Sequence, residues 1–450
     1  MGIRVSTGLM THFALDAMLR QQGELSQTQL QITTGKRVLA PSDDPYGSAR
    51  AINIKESTSV NEQYQVNIQY AENRLGEEEG VLAGIMGALQ RIREQAVYAN
   101  NDSQTVETRR FIREEVVRLQ EQLLSLANST DSNNEYIFSG YKGKSKPFFY
   151  DAIIDNYSYS GDDGQRFLKI GTSTEIAVND DGQDVFMEIR DGNGTFSVRE
   201  DANNVGTGII DPGAIIGKYV PDTYQIKFMP STTAVPGDPD EYYVVNGKGE
   251  VIIAASGVAA PGTNLYATEA LFFAAVTGGT DGGVQYEDGA IISGLEQYGI
   301  QTTIGGVPST TGPIGAGGPA TQDTFEVRPS DYQNMFKTVK NIIDALVSDQ
   351  TTDADSTHFH NAINRGITDL DQAMGSILDT RARVGSRMNT VEKQADINES
   401  FNLQLKQVLS QIEDLDYAEA ITRLNMQLTA LDASQNTYQK IQGLSLFNYL

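Results

Sequence analysis

The sequence predicts an α+β multidomain fold: a long α-helical coiled-coil rod built from both chain ends, with an inserted Gly-rich all-β outer domain. Three observations predict it. Residues 151–330 hold 28 of the 43 glycines and 10 of the 13 prolines, so the flanks are free to form long helices. The same segment carries 25 acidic and 8 basic residues, a net −17 of the chain's −25, which marks it as a separate domain. The flanks, in contrast, repeat apolar residues in alternating steps of three and four.

Taken in order, residues 15–32 place Leu15, Met18, Leu25 and Ile32 on one stripe, with Gln22 and Gln29 at intervening positions. The next stripe runs Ala71, Leu75, Glu78, Leu82, Ile85, Leu89, Ile92 and Ala96, broken only by Glu78. A further helix is predicted from Ile112, Val116, Leu119, Leu123 and Leu126. The middle segment reads as β: Asn156–Tyr159, Val185–Ile189, Tyr224–Met229 and Tyr242–Val245 are short runs rich in aromatic and β-branched residues. Turn clusters at 162–164, 180–182, 191–194 and 246–247 separate them. Residues 302–320 are of low complexity and read as a mobile loop.

Helices resume with Phe336, Val339, Ile343 and Leu346. The longest register then runs from Ile363 to Leu405 and includes Arg381 on the stripe. At 1.5 Å per residue such a helix would run roughly 60 Å, hence a rod. The final stretch repeats Ile421, Leu424, Leu428, Leu431, Tyr438 and Ile441, then ends on an apolar tail, residues 444–450. Such a terminus points to burial against a partner, or to pairing of the two chain ends with each other. Polar residues inside both stripes would leave an isolated pair marginal.

Composition narrows the chemistry. With no cysteine, the chain offers no disulfide framework, thiolate metal site or cysteine nucleophile. Its three histidines, His12, His358 and His360, supply catalytic metal chemistry poorly, and no cofactor is expected. The acidic balance argues against nucleic acid or an anionic membrane as a partner. No apolar run approaches the roughly 20 residues of a membrane span. Residues 1–20 make a poor secretory signal, with Thr11, His12 and Asp16 where an apolar stretch belongs. The expectation is a cytoplasmic protein, or one that leaves the cell without a cleaved peptide.

Several clusters invite a chemical reading. Asp43-Asp44-Pro45 could be a carboxylate pair, but Ser42 or Asp43 as helix N-cap with Pro45 in the first turn is the better reading. His358 and His360 read as solvated histidines at a loop and helix start rather than ligands. Asp180-Asp181-Gly182 reads as a hairpin turn, since calcium-loop spacing and its closing glutamate are absent. Arg109, Arg110 and Arg113, and Arg383 with Arg387, read as solvated or ion-paired helix faces. Arg381 differs: on the stripe, it could define register or bridge subunits.

Thr34-Gly35-Lys36-Arg37-Val38-Leu39-Ala40-Pro41-Ser42-Asp43-Asp44-Pro45 resembles the segment joining the first two helices of flagellins and hook-associated proteins. Within that superfamily, three stretches resemble the hook–filament junction proteins. They are Tyr136-Ile137-Phe138-Ser139-Gly140-Tyr141-Lys142 with Pro147-Phe148, residues 414–424, and the tail 444–450. The resemblance covers roughly residues 1–205 and 322–450. It implies terminal helices over 1–40 and 406–450 that order on assembly, a helical rod domain over 41–150 and 328–405, and an outer β domain over 151–327. Residues 206–321 lie outside the resemblance and are expected to lengthen that outer domain.

The implied function is structural and not enzymatic: a ring of subunits in the bacterial flagellum, adapting hook-associated protein 1 to the flagellin filament. The implied route is export, unfolded and uncleaved, after a chaperone has engaged the C-terminal helix. On this reading Leu15, Met18, Leu25, Leu424, Leu428 and Leu431 form axial assembly contacts. Leu446, Phe447 and Leu450 bury the tail, and Pro41, Ser42, Asp43, Asp44 and Pro45 form the inter-domain hinge. Two alternatives stay open: a flagellin-like filament subunit, and a carbohydrate-binding or hydrolase module on a coiled-coil stalk, for which the middle segment has carboxylates in number but not in evident placement.

Overall fold

A computed structural model describes residues 7–232, 240–311, 321–348 and 351–443. These fall into two compact units, the first comprising Met1–Tyr70, Lys169–Glu175 and Thr390–Leu450, the second Ala71–Leu168 and Ile176–Asn389. The N-terminal flank forms α1 (Thr7–Thr34), α2 (Pro45–Ala99) and α3 (Val106–Ala127). Inside the Gly-rich segment lies α4 (Glu269–Thr277), and the C-terminal flank forms α5 (Met335–Ala345), α6 (Asp353–Glu413) and α7 (Tyr417–Gly443). Terminal helices thus flank a strand-rich middle, as the breaker distribution predicts.

In the first unit α1 packs along α7. The second unit is organised around α2. All eight residues of the predicted stripe, Ala71 to Ala96 and Glu78 among them, are fully buried. α3 and α5 pack together, burying Val116 and Leu123 on one helix and Phe336, Val339 and Ile343 on the other. Both start on side-chain caps: Thr105 accepts from Thr108 N at 3.3 Å, and Asn334 accepts from Lys337 N at 2.7 Å. α6 buries Ile363, Leu370, Ile377 and Val384 from its own predicted register.

One expected strand is absent. Residues Val185–Ile189 lie in a π-helical turn, Gln183–Met187, followed by a two-residue strand, Ile189–Arg190. Val185 and Phe186 are neighbours and both fully buried, which a half-buried strand's alternation does not allow. Phe186 stacks edge-on against Phe138 and Phe148, with centroids 5.0 and 5.1 Å apart, and Phe148 reaches Phe336 of α5 at 5.4 Å.

Beside several two-stranded pairs, seven outer strands form one antiparallel sheet: β1 (Phe196–Glu200), β2 (Tyr224–Met229), β3 (Glu241–Val245), β4 (Val251–Ala254), β5 (Gly257–Val258), β6 (Val284–Gln285) and β7 (Thr324–Pro329). Its order is β5-β4-β3-β2-β7-β1, with β6 also paired to β3. Strands β2 to β6 come from residues 206–321, outside the stretches that carry the resemblance. They nonetheless join the rest through β2 on β7, with Phe325 opposite Ile226. Those strands therefore extend one sheet, while Ile209–Ile210 with Ile304–Gly305, and Ala214–Ile215 with Ile300–Gln301, pair separately within the same segment.

Alternation along β3 shows why both faces are dry. Tyr242 and Val244 enter a core with Phe228, Ile226 and Phe325, while Tyr243 and Val245 enter another that α4 closes with Phe272, Phe273 and Val276. Phe325→Ala should remove about 3–5 kcal/mol of stability. A urea titration followed by far-UV circular dichroism would read this as a lower midpoint for the second unit.

Candidate assembly surfaces

The terminal helix pair keeps its apolar stripe open. Leu15 is 43% exposed and Leu428 41%, while Met18, Leu25, Leu424 and Leu431 are half-buried. Among the described residues of α1 only Thr28 is buried; no apolar side chain is. Phe13 at 63%, Leu19 at 57% and Met426 at 67% extend the exposed face. Between the helices a polar contact joins Ser434 Oγ to Gln21 Oε1 at 2.9 Å. The predicted tail residues Leu446, Phe447 and Leu450 lie outside the described residues.

The joint between α1 and α2 is built more tightly. α1 ends at Gly35, whose φ of 71° suits glycine; an added Cβ would stand 3.0 Å from the Tyr417 hydroxyl. Leu415 N donates to the Gly35 carbonyl at 3.0 Å, and Arg37 N to the Glu413 carbonyl at 2.7 Å. Arg37 also donates from Nε and Nη2 to the Ile412 carbonyl, at 3.2 and 2.9 Å, in the last turn of α6. Its Nη2 lies 3.2 Å from Asp44 Oδ2. Lys36 and Lys55 both pair with Glu413.

Within this joint the cap is Asp44, and the expected Ser42 or Asp43 is not. Asp44 Oδ1 accepts from Gly47 N at 2.8 Å, and Pro45 is the first helical residue. Asp43 turns backward instead. Its Oδ2 accepts from Leu39 N and Ala40 N, at 3.2 and 3.0 Å, while its own N–H donates to the Ala40 carbonyl. That closes a four-residue turn with Pro41 at its second position and leaves Ser42 exposed. The Gly47 N–H, then the Arg37 guanidinium, hold the Asp44 carboxyl below the usual carboxylate range.

Arg37 and Glu413 were given no role by sequence reasoning. A basic residue just after one helix, able to cap another helix's carbonyl end, was the available signal. Arg381 is paired inside the chain: Nη2 lies 2.6 Å from Glu79 Oε1, joining α6 to α2.

Three other readings need correction. His358 and His360 sit in the first turns of α6 and are partly buried. His358 Nε2 lies 3.0 Å from the Asn204 carbonyl, while His360 contacts Asn100 Oδ1 at 2.8 Å and Asp102 Oδ1 at 3.0 Å. Burial pushes the His360 pKa down, against the pull of Asp102. Residues two apart on a helix face different ways, so the pair does not converge. Arg109 is buried rather than solvated. Its Nε donates to the Ala99 carbonyl and its guanidinium lies 4.4 Å from the Phe359 ring centroid. Asp180 is not a turn residue in solvent but a buried carboxylate gripped by Arg387 at 3.0 and 2.8 Å. Among the described residues no group of three or more His, Cys, Asp or Glu is placed to hold a metal ion.

Comparison with known proteins bears on these surfaces. Residues 5–143 match the bacterial flagellin N-terminal helical region, and residues 367–450 the bacterial flagellin C-terminal helical region. Both ends of the chain are thus similar to the helical regions of bacterial flagellins. The chain is also similar to flagellar hook-associated protein 3 of Salmonella typhimurium, at 30% identity over 187 residues, and of Escherichia coli, at 31%. Each alignment spans 42% of this chain and 58% of the relative. The chain thus covers little more than half the length of the curated relatives it matches. The crystal structure of the flagellar junction protein FlgL from Legionella pneumophila superposes with a TM-score of 0.65 at 28% identity, covering 81% of this chain and all of that one.

The Asp44 cap yields a prediction. Asp44→Ala should lower the thermal midpoint of the first unit, and Asp44→Asn, which can still accept from Gly47 N, should recover much of the loss. Because the folded carboxyl is held low, its contribution is present at neutral pH and fades as pH falls through the folded-state pKa. Midpoints measured from neutral to strongly acidic pH should converge for wild type and Asp44→Ala at the acid end.

Proposed function

We propose that the chain is a structural subunit of the bacterial flagellar hook–filament junction, a mechanical adaptor between hook-associated protein 1 and the flagellin filament. The observation that carries this reading is the terminal helix pair, which leaves Leu15, Met18, Leu25, Leu424, Leu428 and Leu431 exposed or half-buried on a regular stripe. Burying such side chains contributes about 25 cal/mol per Å² of apolar surface. In this reading they bury against neighbouring copies and flagellin, forming a ring, and the tail residues Leu446, Phe447 and Leu450 join them. Similarity to flagellar hook-associated proteins supports a structural rather than an enzymatic role.

The finer parts of the proposal follow the family. The helices over 1–40 and 406–450 order on assembly, 41–150 with 328–405 form the rod, and 151–327 stand as the outer domain. The segment from Pro41 to Pro45 is the hinge between terminal helix and rod, and Arg381 with Glu79 fixes the register of α6 on α2. The chain leaves the cell unfolded without a cleaved signal peptide, after a chaperone has held the C-terminal helix, and works outside the cell on the flagellum.

Deleting residues 440–450 should abolish incorporation while the sheet of the second unit stays folded. Electron microscopy of flagella from the deletion strain should show hooks without filaments, with flagellin monomer in the medium. Normal filaments and motility would refute the proposal. Long filaments assembled by the purified chain alone would instead favour a flagellin-like subunit.

A further inference from the structure

The one polar residue of the α2 stripe sits in a buried cluster whose charges do not balance. Glu78 is fully buried, and its Oε1 accepts from Asp180 N at 3.0 Å. Its Oε2 has no hydrogen-bond partner. Asp180, 2% exposed, is bound through both carboxylate oxygens by Arg387 of α6, and Gln165 reaches it at 3.3 Å. One turn before Glu78, Arg74 is committed to Asp131, each side chain 3% exposed. Asp131 also accepts from Asn133 N and Glu135 N.

Two guanidiniums therefore face three carboxylates, and each guanidinium already holds one. The remaining charges on the surrounding elements are engaged elsewhere. Glu79 holds Arg381, Asp184 holds Arg383, Glu135 holds Arg166, and Asp181 accepts from Asp184 N. Arg387, and Arg74 with its Nε and Nη2 unpartnered, favour an ionised Glu78, but burial and the facing Asp180 carboxylate outweigh them, so the third carboxylate keeps its proton at neutral pH.

We infer that Glu78 is a proton-dependent latch: neutral, it holds the loop around Asp180 against α2, and on losing its proton it releases that loop. Burial, reinforced by the Asp180 carboxylate, pushes the Glu78 pKa up to about 8. The sign follows from linkage. The folded chain keeps a proton that the unfolded chain sheds in the ordinary glutamate range. The latch is then fully effective below that range, weakens as pH rises, and is lost above the folded value. Release would free Asp180 from Arg387 of α6, together with the π-helical turn at Gln183–Met187, because Asp180 and that turn lie on one short stretch. The inference does not depend on the flagellar role.

Two readouts on the full chain test it. Infrared spectra of wild type minus Glu78→Gln should contain the carbonyl stretch of one protonated carboxyl, disappearing with a midpoint near pH 8. Amide exchange of peptides within 176–188, normalised for intrinsic rate, should accelerate about threefold or more across the same midpoint in wild type. It should show no step in Glu78→Gln. Asp180→Asn provides the second variant: it keeps the N–H donor, removes the opposing charge, and should lower the midpoint by about one pH unit or more. The same exchange step in Glu78→Gln, no step in wild type, or an unmoved midpoint in Asp180→Asn would overturn the inference.

Discussion

One row of side chains on α2 sets what the second unit can be. From Ala71 to Ala96, eight positions stepping four and three are all enclosed. A row closed on every side leaves no freedom of register, since a one-position shift would put Glu77, Glu79 or Arg91 inside. The same period in α1 and α7 has the opposite outcome. Two helices side by side shield only the strip between them, while an apolar stripe of this kind spans a hundred degrees or more. Gln22 and Gln29 weaken what shielding there is. The row is a core where α3 and α6 flank it, and a surface where a single partner helix is all there is.

Buried charge in the second unit obeys the same closure. Arg74 with Asp131 and Arg387 with Asp180 tie α2 and α6 to the loops that carry the two aspartates. Ion pairs of this sort add less net stability than their Coulomb attraction suggests, because both partners lose water. What they add here is placement. Two loops of irregular backbone are pinned at defined points on long helices, which apolar contact alone specifies weakly.

Period was legible in the sequence and local partnership was not. The stripes of α2, α3, α5 and α6, and strands such as Tyr224–Met229, follow from spacing, since spacing alone fixes which side chains share a face. The caps needed more. Asp43 and Asp44 are chemically identical neighbours, and only the Ala40–Asp43 turn decides which one faces the helix. His360 and Arg109 look like surface residues because their partners, Asp102 and Phe359, come from other segments. Arg37 sat in view within a recognisable stretch, yet its main partner, the Ile412 carbonyl, lies 375 residues away. Glu78 showed as an exception to a pattern, and its meaning depended on Asp180, which spacing could not supply.

The joint at Arg37 shows how the first unit divides its labour. Its fixed connections, Arg37 N to Glu413 O and Leu415 N to Gly35 O, are main-chain bonds, insensitive to salt. The exposed pairs around them, Lys36 and Lys55 with Glu413, add modestly and are screened. Beyond the joint, the helix pair offers mainly apolar side chains, whose burial strengthens in salts excluded from protein surfaces. In the proposed assembly, association through this pair would be driven by area, with charge left to oppose or permit it. Most of the chain's negative charge, −17 of −25, lies in residues 151–330, away in sequence from both terminal helices. That much like charge along the terminal helices would oppose the proposed packing of copies against one another. Confining it to the middle segment leaves the apolar ends free to pack.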